Sequence, residues 1–198
     1  TNNGWSVGDD GVIISTANGG EVWFTQESNV SQDIKGIDFI NPSYGYCVGN
    51  IGIISSTNNG GNTWVLNSLG VFNTLKGIEF TDSYNGWAVG YSGTILKSID
   101  GGEEWYKVDG ITNKNLTDVV FDNGVNGWVV GEEGTIFKTI DGGNSWIDQS
   151  LDDQYYFSCA FFINNTNGWI AGEDGVLFRT MDGGGSWYSQ GRFGSGNL

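Results

Sequence analysis

The sequence has no histidine, one proline, one methionine, two cysteines and only eight lysines and arginines in 198 residues. Without histidine, the commonest general base and histidine-built zinc sites are unavailable. Eight bases against 23 acids give a net charge of −15. That leaves no basic footprint for nucleic acid or for an anionic membrane surface. A cationic partner, a metal ion or plain solubility remains compatible with the charge. No run of 18 apolar residues exists, so no helix is expected to span a membrane. No block of like charge marks a disordered acidic tail. With one proline, turns fall to glycine, of which there are 34. The chain begins with Thr1, has no signal-like apolar segment and opens in mid-repeat, so it reads as a mature or excerpted protein.

What is present is a repeat. Trp23, Trp64, Trp105, Trp146 and Trp187 recur every 41 residues. In the same register run the pairs Gly4-Trp5, Gly45-Tyr46, Gly86-Trp87, Gly127-Trp128 and Gly168-Trp169. A third series places two glycines around a two-residue turn: Gly8/Gly11, Gly49/Gly52, Gly90/Gly93, Gly131/Gly134 and Gly172/Gly175. Such a period implies one supersecondary unit used repeatedly. Neither cysteine is repeat-equivalent to the other, which excludes a repeated disulfide or zinc spacing. Both are expected to be free and partly buried.

One copy reads as four short strands. "LKGIEF" (75–80), "GWAVG" (86–90), "GTILKS" (93–98) and "EEWYKV" (103–108) are β-branched, aromatic or alternating, and tight turns join them. No stretch has helical periodicity. Four antiparallel strands per 41 residues are the blade of a β-propeller. The expected fold is therefore all-β, a propeller of about five four-stranded blades in a single repeat domain, 1–198. The repeats span 1–26 (partial), 33–67, 74–108, 115–149 and 156–190, with a tail at 191–198. The least polar strand is innermost, so Phe39, Phe80, Phe121 and Phe162 should pack between blades, together with both tryptophan series.

The motif "SIDGGEEW" (98–105) returns as "TIDGGNSW" (139–146) and "TMDGGGSW" (180–187), with variants "TNNGGNTW" (57–64) and "TANGGEVW" (16–23). Its Asp or Asn (Asn18, Asn59, Asp100, Asp141, Asp182) can accept from backbone N–H groups of its own turn, and the glycines allow positive φ. The pattern Ser/Thr-x-Asp-x-Gly-x-x-Trp resembles the Asp-box, or BNR repeat, of sialidase-type propellers. The longer stretch "NGWAVGYSGTILKSIDGGEEW" is similar to the propeller family of the photosystem II stability/assembly factor, whose repeats also occur in secreted bacterial proteins. The resemblance covers all five copies. It implies a propeller with the box at the turn between the third and fourth strands, in a structural role.

The resemblance does not bring the family activities with it. Sialidases hold a carboxylate with three arginines, and this chain has two, Arg179 and Arg192. Arg179 aligns with Lys97 and Lys138 and reads as a surface residue. The assembly factor's arginine-rich patch has no counterpart here. A glycosidase needs two carboxylates at a set separation, and 23 acids make a chance pair uninformative. The turns between second and third strands carry Asp9, Asp10, Glu132, Glu133, Glu173 and Asp174. Six carboxylates could bind Ca²⁺ or a cationic partner; solvated turns are the favoured alternative, and no cofactor is expected. The inter-blade loops 27–33, 67–74, 108–115 and 149–156 vary most and carry Phe72, Tyr155 and Tyr156, which either stack on a sugar or peptide or cover the core. Asn29, Asn115 and Asn164 head glycosylation sequons.

Five full repeats need seven more residues than the chain has, and the shortfall is one innermost strand. The expectation is that a longer chain, the tail "GRFGSGNL" or a strand from another molecule fills it. The sequence thus points to a non-catalytic, extracellular or cell-surface (alternatively periplasmic) scaffold for a protein or glycan. A self-assembling oligomer or filament subunit is the second reading, and a sialidase-like glycosidase the third.

Overall fold

The structure is a computed structural model and describes residues 2–67, 73–108, 110–152 and 154–192. Among them, strands form five sheets, each a meander. Blade 1 holds β1 (Gly4–Val7), β2 (Ile13–Thr16) and β3 (Phe24–Gln26). Blade 2 holds β4 (Ile34–Phe39), β5 (Gly45–Gly49), β6 (Ile54–Thr57) and β7 (Val65–Leu66). Blade 3 holds β8 (Leu75–Phe80), β9 (Gly86–Gly90), β10 (Thr94–Ser98) and β11 (Tyr106–Val108). Blade 4 holds β12 (Leu116–Phe121), β13 (Gly127–Gly131), β14 (Ile136–Thr139) and β15 (Ile147–Asp148). Blade 5 holds β16 (Phe157–Phe162), β17 (Gly168–Gly172), β18 (Val176–Thr180) and β19 (Tyr188–Arg192). The chain is an all-β propeller in which, among the described residues, one blade has three strands, without a counterpart of β4, β8, β12 and β16. The last six residues of the tail, and with them its expected part in filling that gap, lie outside the described residues.

The chain divides into two compact units, Thr1–Ala88 with Leu96–Lys107 and Val89–Ile95 with Val108–Leu198. In the first, Ile13, Ile34, Cys47 and Trp64 form one buried cluster, and Tyr46, Val48, Ile54, Leu75, Ile78, Phe80, Ala88 and Leu96 form another. In the second, Val130, Ile136, Phe157, Ile170, Val176 and Phe178 pack together. No helix among the described residues is long and apolar enough to cross a membrane.

The inner-strand phenylalanines sit in three-ring stacks. Phe39 lies face to face with Trp5 of the preceding blade, centroids 3.6 Å apart, and edge-on to Trp64 of its own blade. Phe80 repeats this with Tyr46 at 3.8 Å and Trp105. Phe162 repeats it with Trp128 at 3.5 Å and Trp187. Such pairs contribute about 0.5–1.5 kcal/mol each beyond their burial. The stacking explains the glycine of each Gly-aromatic pair, because a Cβ on Gly45, Gly86, Gly127 or Gly168 would run into the phenylalanine ring. The polar tip of the stacked aromatic also reaches forward. Trp5 Nε1 donates to Gly60 O (3.3 Å), Tyr46 Oη to Gly101 O (2.8 Å) and Trp128 Nε1 to Gly183 O (3.2 Å). Each acceptor is the first glycine of the next blade's Asp-box.

Several expectations are corrected. The fourth strand begins after the tryptophan rather than at the box, at Tyr106 instead of Glu103 in blade 3. The N–H of Glu104 is bound by the Asp100 carboxylate and so is withdrawn from the sheet. Trp23 is 42% exposed, not packed between blades; its counterparts lie against an inner-strand phenylalanine that blade 1 does not have. Arg179 is half-buried over the Trp169 ring (5.5 Å), as Lys97 covers Trp87 and Lys138 covers Trp128. Both cysteines are free, but Cys159 is exposed on the inner strand while Cys47 is buried.

Candidate binding face

The Asp-boxes are closed hydrogen-bond circuits. In blade 4, Thr139 Oγ1 donates to Asp141 Oδ1 (2.8 Å) and accepts from Gly143 N (2.8 Å), while Asp141 Oδ1 accepts from Ser145 N (2.9 Å). Ser145 Oγ adds a bond to Asp141 Oδ2 at 2.6 Å. These donors hold the Asp141 carboxyl down at about 2. Asp100 and Asp182 are lowered by the same kind of donors, first the backbone N–H groups of Glu104 and Ser186. Asn18 and Asn59 complete the circuit with an amide oxygen, accepting from Val22 N and Thr63 N at 3.0 Å. The circuits therefore hold the turn, and their acceptor oxygens already have partners within it.

The two-residue turns form the other candidate surface. Their second residues, Asp10, Ile51, Ser92, Glu133 and Asp174, all have φ between 51° and 56°. That left-handed conformation lets the following glycine approach a loop carbonyl. A Cβ on Gly11 would strike Val30 O, and one on Gly93 would strike Thr112 O. The turn and the inter-blade loop beneath it are thereby locked together.

In the first unit, Asp33 ties this region together. Its carboxylate accepts from Asp10 N (3.1 Å) and Asn50 Nδ2 (3.1 Å), and Lys35 Nζ bridges it at 3.0 Å and Asp9 at 2.8 Å. The Lys35 ammonium, with the Asp10 N–H behind it, lowers the Asp33 carboxyl. In the second unit, Asn115 does the same work with an amide. Its Oδ1 accepts from Ser92 N (3.0 Å) and its Nδ2 donates to Glu132 Oε2 (3.0 Å). Lys114 Nζ reaches Glu133 O (3.1 Å) and its carboxylate (3.4 Å), and Arg192 lies 3.7 Å from Asp174.

The six acidic turn residues are thus not an unscreened ring of carboxylates. Asp9, Glu133 and Asp174 each have a base and Glu132 an amide. Among the described residues no three acidic or thiol side chains converge as a metal site. Of the two roles open to Tyr155, ligand stacking and core cover, it takes the second, packing on Phe157 and Phe178. Tyr156 is 43% exposed and remains on the surface. Phe72 lies outside the described residues. Of the sequons, Asn29 and Asn164 are exposed, whereas the Asn115 amide is half-buried and occupied by Glu132.

Sequence reasoning missed the structural roles of four residues. Asp33 and Asn115 occupy the same repeat position, immediately before the inner strand, and their shared polarity was the available signal. Asp38 and Asp118 lie in inner strands and accept from the next blade's inner strand. Asp38 Oδ2 takes Phe80 N (2.8 Å), and Asp118 Oδ2 takes Ala160 N (2.9 Å). Burial raises both carboxyls, Asp118 to about 6.

Blades of this order, with a closed Ser/Thr–Asp/Asn circuit between third and fourth strands, define an Asp-box β-propeller. The family model described as Photosynthesis system II assembly factor YCF48 matches residues 103–191. Comparison with curated protein sequences finds no match. Among solved structures, YCF48 bound to a D1 peptide is 18% identical, with a TM-score of 0.52 over 94% of this chain and 76% of that one. YCF48 from Cyanidioschyzon merolae is 15% identical, with a TM-score of 0.65 over 96% and 81%. The Niastella koreensis GH74 enzyme is 18% identical, with a TM-score of 0.79 over 98% of this chain but only 36% of the enzyme. The chain therefore has a β-propeller fold, resembles the photosystem II assembly factor in its repeats, and is similar in fold to part of a GH74 enzyme.

Proposed function

We propose that the chain is a non-catalytic scaffold that binds a protein, or a glycan, through the 9–10, 132–133 and 173–174 turns and the loops adjoining each of them. The observation that carries this reading is how the acidic side chains are employed. Asp100, Asp141 and Asp182 close their own turns, Asp38 and Asp118 tie inner strands together, and Asp33 anchors a loop. A glycosidase needs one carboxyl free to donate a proton and another free to attack or activate water. These carboxylates instead accept from backbone N–H groups. The loops, by contrast, differ from blade to blade on a constant frame and leave Tyr156 exposed, as expected of a recognition surface. The D1 peptide bound to YCF48 supports a protein partner for a propeller of this kind. The charge of −15 favours a partner with basic side chains. An extracytoplasmic location is part of the proposal, in keeping with the resemblance to repeats of secreted proteins.

The test is selection from displayed-peptide and glycan libraries on the full chain, repeated with Tyr156→Ser and Glu133→Lys. Enrichment of basic ligands that both substitutions weaken supports the reading. Release of sugar from a panel of polysaccharides by the purified chain would replace it with the enzyme.

A second reading, a self-assembling structural or filament subunit joined by strand donation, is favoured by the three strands of blade 1. All four inner strands of the chain are already seated in their own sheets. A copy would have to open a blade in order to donate one, which ranks this reading behind the scaffold.

A further inference from the structure

Seven Asn-Gly pairs occur in the chain, beginning at Asn3, Asn18, Asn59, Asn85, Asn123, Asn126 and Asn167. In such a pair the glycine N–H can close on the preceding side-chain amide, because no side chain crowds the attacking nitrogen. Six of the seven glycines are already engaged. Gly19 N donates to Asn2 O (2.7 Å) and Gly60 N to Ser43 O (2.9 Å). Gly4, Gly86, Gly127 and Gly168 open the second strands of their blades. Four residues further on, Gly8 N and Gly131 N donate across the hairpin to Val12 O and Thr135 O (both 3.0 Å). Main-chain N–H groups alternate in direction along a strand, so those of Gly4 and Gly127 also face the third strand, where Thr16 and Thr139 are their partners. Gly168 meets Thr180 in the same register, and Gly86 holds the equivalent place in β9.

Gly124 is the exception. Its N–H has no acceptor among the described residues, and Asn123 before it is exposed. Asn123 Oδ1 accepts from Val125 N (3.1 Å) and Asn126 N (3.0 Å), with Asn126 Nδ2 at 3.4 Å. These donors surround the oxygen that takes on charge when the amide carbon is attacked. They need not be broken, since that oxygen stays a carbonyl in the ring that forms. The nitrogen that has to leave, Asn123 Nδ2, has no acceptor among the described residues. By contrast, the Nδ2 groups of Asn59, Asn85 and Asn167 donate to Thr63 Oγ1, Asp82 Oδ2 and Thr166 Oγ1, each at 2.9 Å. The same loop position in the other blades reads Asn41-Pro42, Asp82-Ser83 and Asn164-Asn165. Proline has no N–H to attack with, and serine and asparagine crowd theirs with a side chain.

We propose that Asn123-Gly124 is a self-modification site, at which the folded chain converts its own asparagine to aspartyl and isoaspartyl products. Gly124 N gives its proton to solvent and bonds to Asn123 Cγ. The Cγ–Nδ2 bond breaks, ammonia leaves, and a five-membered succinimide closes. Water then opens the ring. Attack at Cγ returns the main chain to its original course with an aspartyl side chain. Attack at the main-chain carbonyl carbon leaves the chain running through the former side chain, the isoaspartyl form. The sum is amide plus water to carboxylate plus ammonium, with nothing oxidised or reduced. The aspartyl product keeps the turn, as Asp82 does by accepting from Tyr84 N (2.7 Å) and Asn85 N (2.8 Å). The isoaspartyl product adds an atom to the main chain two residues before Val125, whose carbonyl accepts from Gly142 N (2.9 Å) of the blade's Asp-box. It therefore loosens the box of blade 4. The site does not depend on the turn-and-loop binding reading.

The test is ageing of the full chain in mildly alkaline buffer made with oxygen-18 water, once folded and once in guanidinium chloride. Peptic mapping at acid pH with electron-transfer fragmentation follows. Replacement of an amide nitrogen by labelled oxygen marks each asparagine that has reacted, and the fragments separate aspartyl from isoaspartyl products. In the folded chain Asn123 should react roughly tenfold faster than Asn126 or any of the other five, because each of those must first free its glycine N–H from a hydrogen bond. In guanidinium chloride the preference should disappear, since all seven glycines are then equally free. Asn123→Asp should melt as the parent does, whereas a parent aged to the isoaspartyl form should melt lower. The proposal is overturned if Asn123 reacts no faster than Asn126 in the folded chain. It is equally overturned if the preference survives denaturation, because it is then a property of the local sequence and not of the fold. Equal melting of the parent, the aged parent and Asn123→Asp would refute the loosening of the box.

Discussion

The bond from Tyr46 Oη to Gly101 O carries a quantitative expectation. It joins the second strand of blade 2 to the Asp-box of blade 3, over a contact otherwise made by the Tyr46–Phe80 stack. Tyr46 is 5% exposed, and burial raises its hydroxyl above the usual phenol range. Tyr46→Phe removes the hydroxyl and leaves both the stack and the ring volume. What remains is a half-buried carbonyl without that donor, a loss of about 1–2 kcal/mol. For a chain of this length that is a fall in melting temperature of about 2–8 °C. Tyr44→Phe is the control, because Tyr44 is 50% exposed and should change nothing measurable. Both variants are compared with the parent by urea titration followed by tryptophan fluorescence and by circular dichroism. Coincident transitions are required, because repeat units can unfold separately. Equal midpoints for Tyr46→Phe and Tyr44→Phe would refute the claim that the polar tips of the stacked aromatics hold successive blades together.

Three further outcomes follow from the same geometry. Asp118 has a folded value of about 6 against an ordinary 3.8, so between those values the folded chain keeps a proton that the unfolded chain has released. Its contribution to stability therefore falls as pH rises through that window, by at most about 3 kcal/mol; Asp118→Gly, the residue at positions 36 and 77, should flatten the melting temperature between pH 4 and 6.5. Thr139→Val keeps the volume but strips the buried Gly143 N–H of its acceptor, and should lower stability by about 1–3 kcal/mol in chemical denaturation. A thiol reagent at pH 8 should modify Cys159 alone and slowly, since partial burial and the Asp118 charge raise its thiol, while Cys47, pushed up to about 12 by burial, should react only after denaturant is added.

The sequence by itself determined the fold class, the period and the roles of the repeated residues. Those are local or periodic properties. Alternation and glycine placement define strands and turns, and a Ser/Thr, an Asp or Asn, two glycines and a Trp within eight residues can satisfy one another without distant partners. What the tertiary structure alone decided concerns partners brought from other blades. Phe39, Phe80 and Phe162 of the inner strands each meet an aromatic from the preceding blade, 34 residues earlier, and in the same way Tyr46 finds Gly101 and Asp118 finds Ala160. Periodicity shows that such residues recur but not which copy faces which. Charge was least legible of all. Six acids in turns look alike in a sequence, and only the placement of Lys35, Lys114, Arg192 and Asn115 distinguished paired carboxylates from an open anionic face. Those partners lie outside the turns, and Coulomb interaction depends on distance through space rather than along the chain.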